Sequence, residues 1–142
     1  MSTWRPKQAV RVVAIGLLRH EDRLLVAEVR NDDGSVKGWR PLGGGVEFGE
    51  TSEQTLRREF LEETGFSIEI AGPPTVIENL YEHEGHTGHE IIFVYEITTS
   101  DPKAIARDRF VINENSQDVW VEWVSLERFA AGERLLPDGL KI

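Results

Sequence analysis

Between Gly44 and Phe66 the chain carries signals that leave few choices of local structure. Thr51 and Gln54 stand at capping-box spacing, in which each side chain satisfies an orphan N–H group at a helix start. Gly65 can take the left-handed conformation that stops a helix, with Phe66 packing back beyond it. Between these signals Leu56 and Phe60 form an apolar i, i+4 pair that can fasten one face to a core. A helix over 51–63 is therefore predicted. On it Glu59, Glu62 and Glu63 fall at i, i+3 and i+4, so all three carboxylates leave one face within reach of each other. Such a cluster repels itself unless a cation sits among it, and Mg²⁺ or Mn²⁺ suits an all-oxygen donor set. The plainer reading is an acidic face turned to solvent.

The carboxylates belong to a longer pattern. Gly44, Glu50, Arg58, Glu59, Glu62, Glu63 and Gly65 hold fixed spacings. At roughly 7% usage per residue type, seven fixed positions coincide by chance about once in 10⁸ placements. The pattern resembles the signature of the Nudix (MutT-type) hydrolases and meets every fixed position of it. The resemblance implies an α/β fold, the Nudix-type α/β/α sandwich with a mixed β-sheet and the catalytic helix packed on it, in one domain over 1–142. It also implies a Mg²⁺-dependent enzyme, with Mn²⁺ as substitute. The reaction would be hydrolysis of a diphosphate linkage in a nucleoside diphosphate joined to another moiety, by attack of a metal-activated water on phosphorus. The alternative is a non-catalytic Nudix-like domain that binds a nucleotide and reports it to a partner. Such a domain would be expected to have lost one of Arg58, Glu59, Glu62 or Glu63, and all four are present.

The resemblance also assigns roles. Glu62 and Glu63 are expected as metal ligands, and Glu59 as a further ligand or the general base. Arg58 would orient a carboxylate, against the plainer reading of a surface i, i+4 pair with Glu62. Glu50 could reach the metal or favour the positive end of the helix. In the family a backbone carbonyl near the paired glycines binds the metal, which maps to Gly43 or Gly44. Many members place Pro directly before those glycines, whereas this chain reads Pro41-Leu42-Gly43. Taken alone, Gly43-Gly44-Gly45 would be a flexible turn. A distal loop acid is common in the family; Glu114 is the candidate, with Asp118 second. Substrate contacts are sought in Trp39, by stacking on a base, and in Arg40 and Arg30, with Trp39 as core packing the competing reading. Glu63 is expected to face solvent, so that Glu63→Gln reduces turnover without unfolding. His83, His86 and His89 lack the His-Glu-x-x-His spacing of a zinc helix and read as a solvated hairpin loop.

Composition narrows the partners. A net charge of −9 opposes binding a nucleic-acid polymer or an anionic membrane, yet tolerates a small nucleotide if cations and local arginines mask the repulsion. The chain has no cysteine, which removes disulfides and thiolate chemistry and fits a reducing cytoplasm. Its longest N-terminal apolar run, 12–18, is too short to span a bilayer. A cytoplasmic protein is expected. Dimers are common among similar proteins, so a homodimer stays open.

Taken in order, residues 1–8 read as a loose leader. Strands are expected at 9–18 and 24–29, joined as a hairpin through His20-Glu21-Asp22-Arg23. A loop at 31–34 precedes a short segment, 39–42, and another extended piece, 46–48. After the helix, strands are expected at 66–70, 75–81 and 91–98, with 82–90 as polar connection and 100–108 as loop. A strand at 119–124 places Trp120 and Trp123 on opposite faces. Ser125 would cap a short amphipathic helix carrying Leu126, Phe129 and Ala130.

Overall fold

Two apolar runs near the N-terminus bury both of their faces, which is why they read as continuous hydrophobic stretches rather than alternating ones. In the computed structural model, which describes residues 3–142, they form β1 (Val10–His20) and β2 (Arg23–Arg30). Ala14 and Leu18 face one core while Ile15 and Leu17 face another, and Leu25 and Ala27 oppose Leu24 and Val26 in the same way. The hairpin is paired only at its turn, Arg19 to Leu24 and His20 to Arg23. Beyond it the strands splay, and β3 (Val36–Gly45) enters between them, pairing its first half with β2 and its second half with β1.

The predicted helix is α1 (Ser52–Thr64), with the Thr51–Gln54 capping box formed and Gly65 in the left-handed conformation. Leu56 and Phe60 are buried against the sheet, at 0% and 1% exposure. The short β4 (Glu69–Ile70) then leads to β5 (Thr75–His83) and β6 (His86–Thr98). These last two form a long hairpin whose turn is only Glu84-Gly85, both at positive φ. Most of the stretch expected as a polar connection is therefore strand. A 3-10 turn (Pro102–Ile105) falls in the expected loop, followed by β7 (Arg109–Glu114) and β8 (Gln117–Ser125). The expectation omitted β7. Ser125 caps α2 (Leu126–Ala130) by accepting from the Arg128 N–H.

The sheet runs β4-β6-β1-β3-β2-β8-β7, with β5 beside β4 on the outer edge of β6. Among the strands of the described residues, β1 and β6 alone pair in parallel, so the sheet is mixed. Side chains of α1 cover one face; Leu126 and Phe129 of α2, with Leu135 and Leu140, pack on the other. The α/β/α layering is thus present. Trp123 is buried and donates its indole N–H to the Ala104 carbonyl at 2.8 Å, while Trp120 lies exposed under the Arg109 guanidinium, as their alternation requires.

Two further expectations are corrected. The part of the leader that is described, from Thr3 on, is docked and not loose: Arg5 makes a two-pronged pair with Asp32 (3.0 and 2.6 Å), and Trp4 packs on His83. Met1 and Ser2 lie outside the described residues. The three glycines are strand and not turn, with Gly43 paired to Ile15 and Gly44 to Ala14. Their need is steric. A methyl at Gly43 would meet the Ala14 carbonyl oxygen at 1.9 Å, and one at Gly44 would strike the Glu59 carboxylate.

Candidate active site

Arg58 gathers one side of the site. Its Nε and Nη2 donate to the two oxygens of Glu50 at 2.8 and 2.9 Å, and Nη1 reaches Glu59 at 3.0 Å and Glu62 at 3.4 Å. Thr55 adds its hydroxyl to Glu50 at 2.6 Å. The Arg58 and Thr55 hydrogen bonds hold the Glu50 carboxyl down at about 2. With both oxygens so engaged, Glu50 braces Arg58 from the turn before α1. Nothing in the sequence pattern marked Thr55 for this part. Its hydroxyl is aimed by being one helical turn past Thr51, to whose carbonyl it also donates.

Glu63 makes the other side, and the expectation that it faces solvent fails. Both of its carboxylate oxygens are buried and no described residue donates to them. Burial, reinforced by the facing Glu114, pushes its pKa up to about 9. Two carboxylates in contact both accept, so a proton or a cation must lie between them. Glu114, the last residue of β7, is in turn clasped through both oxygens by Arg40 of β3. Asp118, the second candidate, is exposed and accepts from Asn113 at 3.4 Å.

Arg58 and Arg40 thus hold carboxylates on the α1 face of the sheet. Glu59 lies where a Cβ on Gly44 would come within 2.6 Å of its Oε1, so the bare glycine makes a recess that the carboxylate fills. The donor set is all oxygen and includes an unsatisfied buried carboxylate, which fits a hard divalent ion. Among the described residues no three Asp, Glu or His side chains form a ready cage.

The other expected substrate residues are placed elsewhere. Consecutive strand residues point to opposite faces. Arg40 therefore shares the α1 side with Leu42, while Trp39 is 7% exposed in the second core, its indole N–H donating to Glu133 at 2.8 Å. That removes Trp39 from the base-stacking role. Arg30 bonds Glu28 at 2.8 Å and the Gly34 carbonyl, which closes the β2–β3 turn. The histidines do not converge: His83 is buried near Lys37, His89 meets Glu78 at 3.1 Å, and His86 is exposed. No helix among the described residues is long and apolar enough to cross a membrane.

The nucleoside triphosphatase NudI of Enterobacter sp. (strain 638) is 32% identical over 129 residues, covering 87% of this chain and 89% of that protein. NudI of Escherichia fergusonii is 30% identical over 125 residues, covering 84% and 86%. Among solved structures, a MutT NUDIX hydrolase from Burkholderia pseudomallei superposes with a TM-score of 0.61 at 23% identity, covering 84% and 86% of the two chains. A MutT protein from Methanosarcina mazei Go1 gives 0.55 at 21% identity, covering 94% and 88%. The NUDIX domain family matches residues 7–139, and this chain belongs to that family of hydrolases.

Proposed function

We propose that this Nudix hydrolase cleaves a nucleoside triphosphate, a nucleoside diphosphate joined to phosphate, at one of its diphosphate linkages. The substrate class comes from the NudI relatives, which are nucleoside triphosphatases. The observation that carries the site assignment is the Glu63 carboxylate, buried without a donor and pressed against Glu114. A carboxylate pair so placed makes sense as half of a cation site. Glu62, Glu63 and Glu114, with the carbonyl of Gly44, would hold Mg²⁺ or Mn²⁺. When bound, the ion supplies positive charge to the phosphates and Lewis acidity toward the attacking water.

The chain's own residues do the rest. Glu59, seated in the Gly44 recess, is the group we assign to take the proton from the water that attacks phosphorus. Arg58 fixes Glu59 in that recess and keeps Glu62 on the same side. Arg40 offers a planar fork of donors to a phosphate. The net charge of −9 leaves these arginines and the ion to draw in an anion, which favours small cytoplasmic nucleotides over a polymer.

The test pairs the wild type with Glu63→Gln against a panel of nucleoside triphosphates and Mg²⁺, with pyrophosphate and phosphate release measured separately. The variant is expected to lose most of its turnover. As pH rises toward about 9 it should also resist heat better than the wild type in chelator, because a buried acid that must then ionise becomes a neutral amide. Turnover in Glu63→Gln equal to that of the wild type would remove Glu63 from the site. Nucleotide binding without hydrolysis of any panel member by the wild type would favour a binding domain.

A further inference from the structure

Arg40 holds the acid that the cation needs. Its Nη2 donates to both oxygens of Glu114, the carboxylate that faces Glu63. Glu63 itself receives no hydrogen bond from any described residue. One guanidinium therefore stands beside two carboxyl groups and binds only one of them. Arg40 lies on the same face of β3 as Gly44, whose missing side chain makes room for Glu59. The guanidinium is consequently next to the acids, on the face of the sheet that α1 covers.

Were Glu63 and Glu114 to hold a divalent ion, its charge, twice that of Arg40 in a smaller volume, would compete with the guanidinium for Glu114. The released fork need not travel far to find another oxyanion, since phosphate offers the same bidentate geometry as carboxylate. We propose that Arg40 is a positioning residue that keeps Glu114 in place until a divalent cation takes it. Its freed donors then turn to a phosphate of the nucleotide. The inference rests on the metal reading of the preceding section and adds an exchange that makes metal and nucleotide affinities depend on each other. By linkage that dependence is reciprocal.

The exchange can be read without turnover. Mn²⁺ alone is titrated into wild type, Arg40→Gln and Arg40→Lys, with free Mn²⁺ followed by electron paramagnetic resonance. Binding of a non-hydrolysable nucleoside triphosphate analogue is then measured at saturating Mn²⁺. Removing the competing cation should tighten Mn²⁺ binding by Arg40→Gln about tenfold or more. The same change should weaken analogue binding by about tenfold or more, because a charge-assisted fork is lost. Arg40→Lys, which keeps the charge but not the fork, should restore Mn²⁺ affinity toward the wild-type value and leave analogue binding weak. A merely structural role would weaken both affinities together, and that result overturns the exchange. If Arg40→Gln does not fold, Glu114→Gln approaches the exchange from the other side. Its unclasped arginine should bind the analogue more tightly than wild type does in chelator, and no gain there overturns the proposal. Failure of the wild type to bind Mn²⁺ at all would instead sink the metal reading beneath it.

Discussion

Gly44→Ala should damage catalysis and spare the fold, and the neighbouring Gly43→Ala should do the reverse. A methyl at Gly44 would lie 2.5 Å from Cδ, 2.6 Å from Oε1 and 2.8 Å from Cγ of Glu59. Ordinary carbon contacts are about 3.5–4.0 Å, so the carboxylate must retreat by about 1 Å. All three atoms belong to the far end of a flexible side chain, which lets Glu59 swing away while the backbone stays. The retreat strains or breaks its 3.0 Å bond from Arg58, a part-buried ion pair contributing about 1 kcal/mol. Against this, alanine restricts the unfolded chain and returns about 0.4–1 kcal/mol. The two nearly cancel. Turnover is another matter, because a misplacement of about 1 Å costs on the order of 10²-fold.

At Gly43 the added methyl meets backbone, the Ala14 carbonyl oxygen at 1.9 Å and the Ile15 Cα at 2.8 Å. Neither can move without parting β1 from β3 at the Gly43–Ile15 pair. Overpacking of about 1–3 kcal/mol plus about 1 kcal/mol for each ladder bond lost gives about 3 kcal/mol or more. The assay is urea unfolding followed by tryptophan fluorescence in chelator, beside pyrophosphate release at saturating Mg²⁺. Gly44→Ala destabilised by more than about 2 kcal/mol, or turning over within about threefold of wild type, would refute the recess argument.

Arg58→Ala should lower turnover by about 10²-fold or more through loss of Glu59 placement. It should also return the Glu50 carboxyl from about 2 toward the ordinary range, read by NMR titration. Because that pKa is depressed on folding, the stability Glu50 contributes is present above the unfolded carboxylate pKa. It is lost as pH falls toward about 2, and the variant should lack this segment of the acid-unfolding curve. For Glu63 the sign reverses. Its folded pKa is raised to about 9, so the native state binds the extra proton, and metal-free protein should lose stability as pH rises from the ordinary carboxylate range toward that value. Thermal midpoints across that range should fall for wild type in chelator, stay flatter for Glu63→Gln, and recover for wild type with Mg²⁺. Trp39→Phe should destabilise by about 1–3 kcal/mol, losing the bond to Glu133 and some packing, with KM unchanged. A raised KM at unchanged stability would return Trp39 to the substrate.

Local signals were legible and distant ones were not. The helix could be placed almost to the residue because its capping box and left-handed stop act within a few residues of it. The glycine run misled for the opposite reason. Glycine usually marks a turn, but here the constraint comes from the Ala14 carbonyl and the Glu59 carboxylate, one of them about thirty residues away. β7 was missed because its apolar part, Phe110-Val111-Ile112, is only three residues long between Arg109 and Asn113, too short a run to stand out from a loop. Glu114 could be singled out by its place before the last long strand, whereas its clasp by Arg40, 74 residues away, needs the sheet order to exist first.

The burial of Glu63, by contrast, follows from arithmetic that the sequence already permits. At about 100° per residue, Glu63 lies seven positions and so about 20° from Leu56, directly along the face that Leu56 and Phe60 bury. Glu62 falls about 120° from Leu56 and Glu59 about 60°, which spreads the three acids from solvent to core edge. A stripe of like charges that begins in water and ends against a hydrophobic core is costly unless something else is destined for its buried end. Reading the stripe only as one face hides that gradient. The gradient ties the helix to an ion: Glu62 can be satisfied by water and Glu59 by Arg58. Glu63, where neither reaches, is left to share a proton or a cation with Glu114.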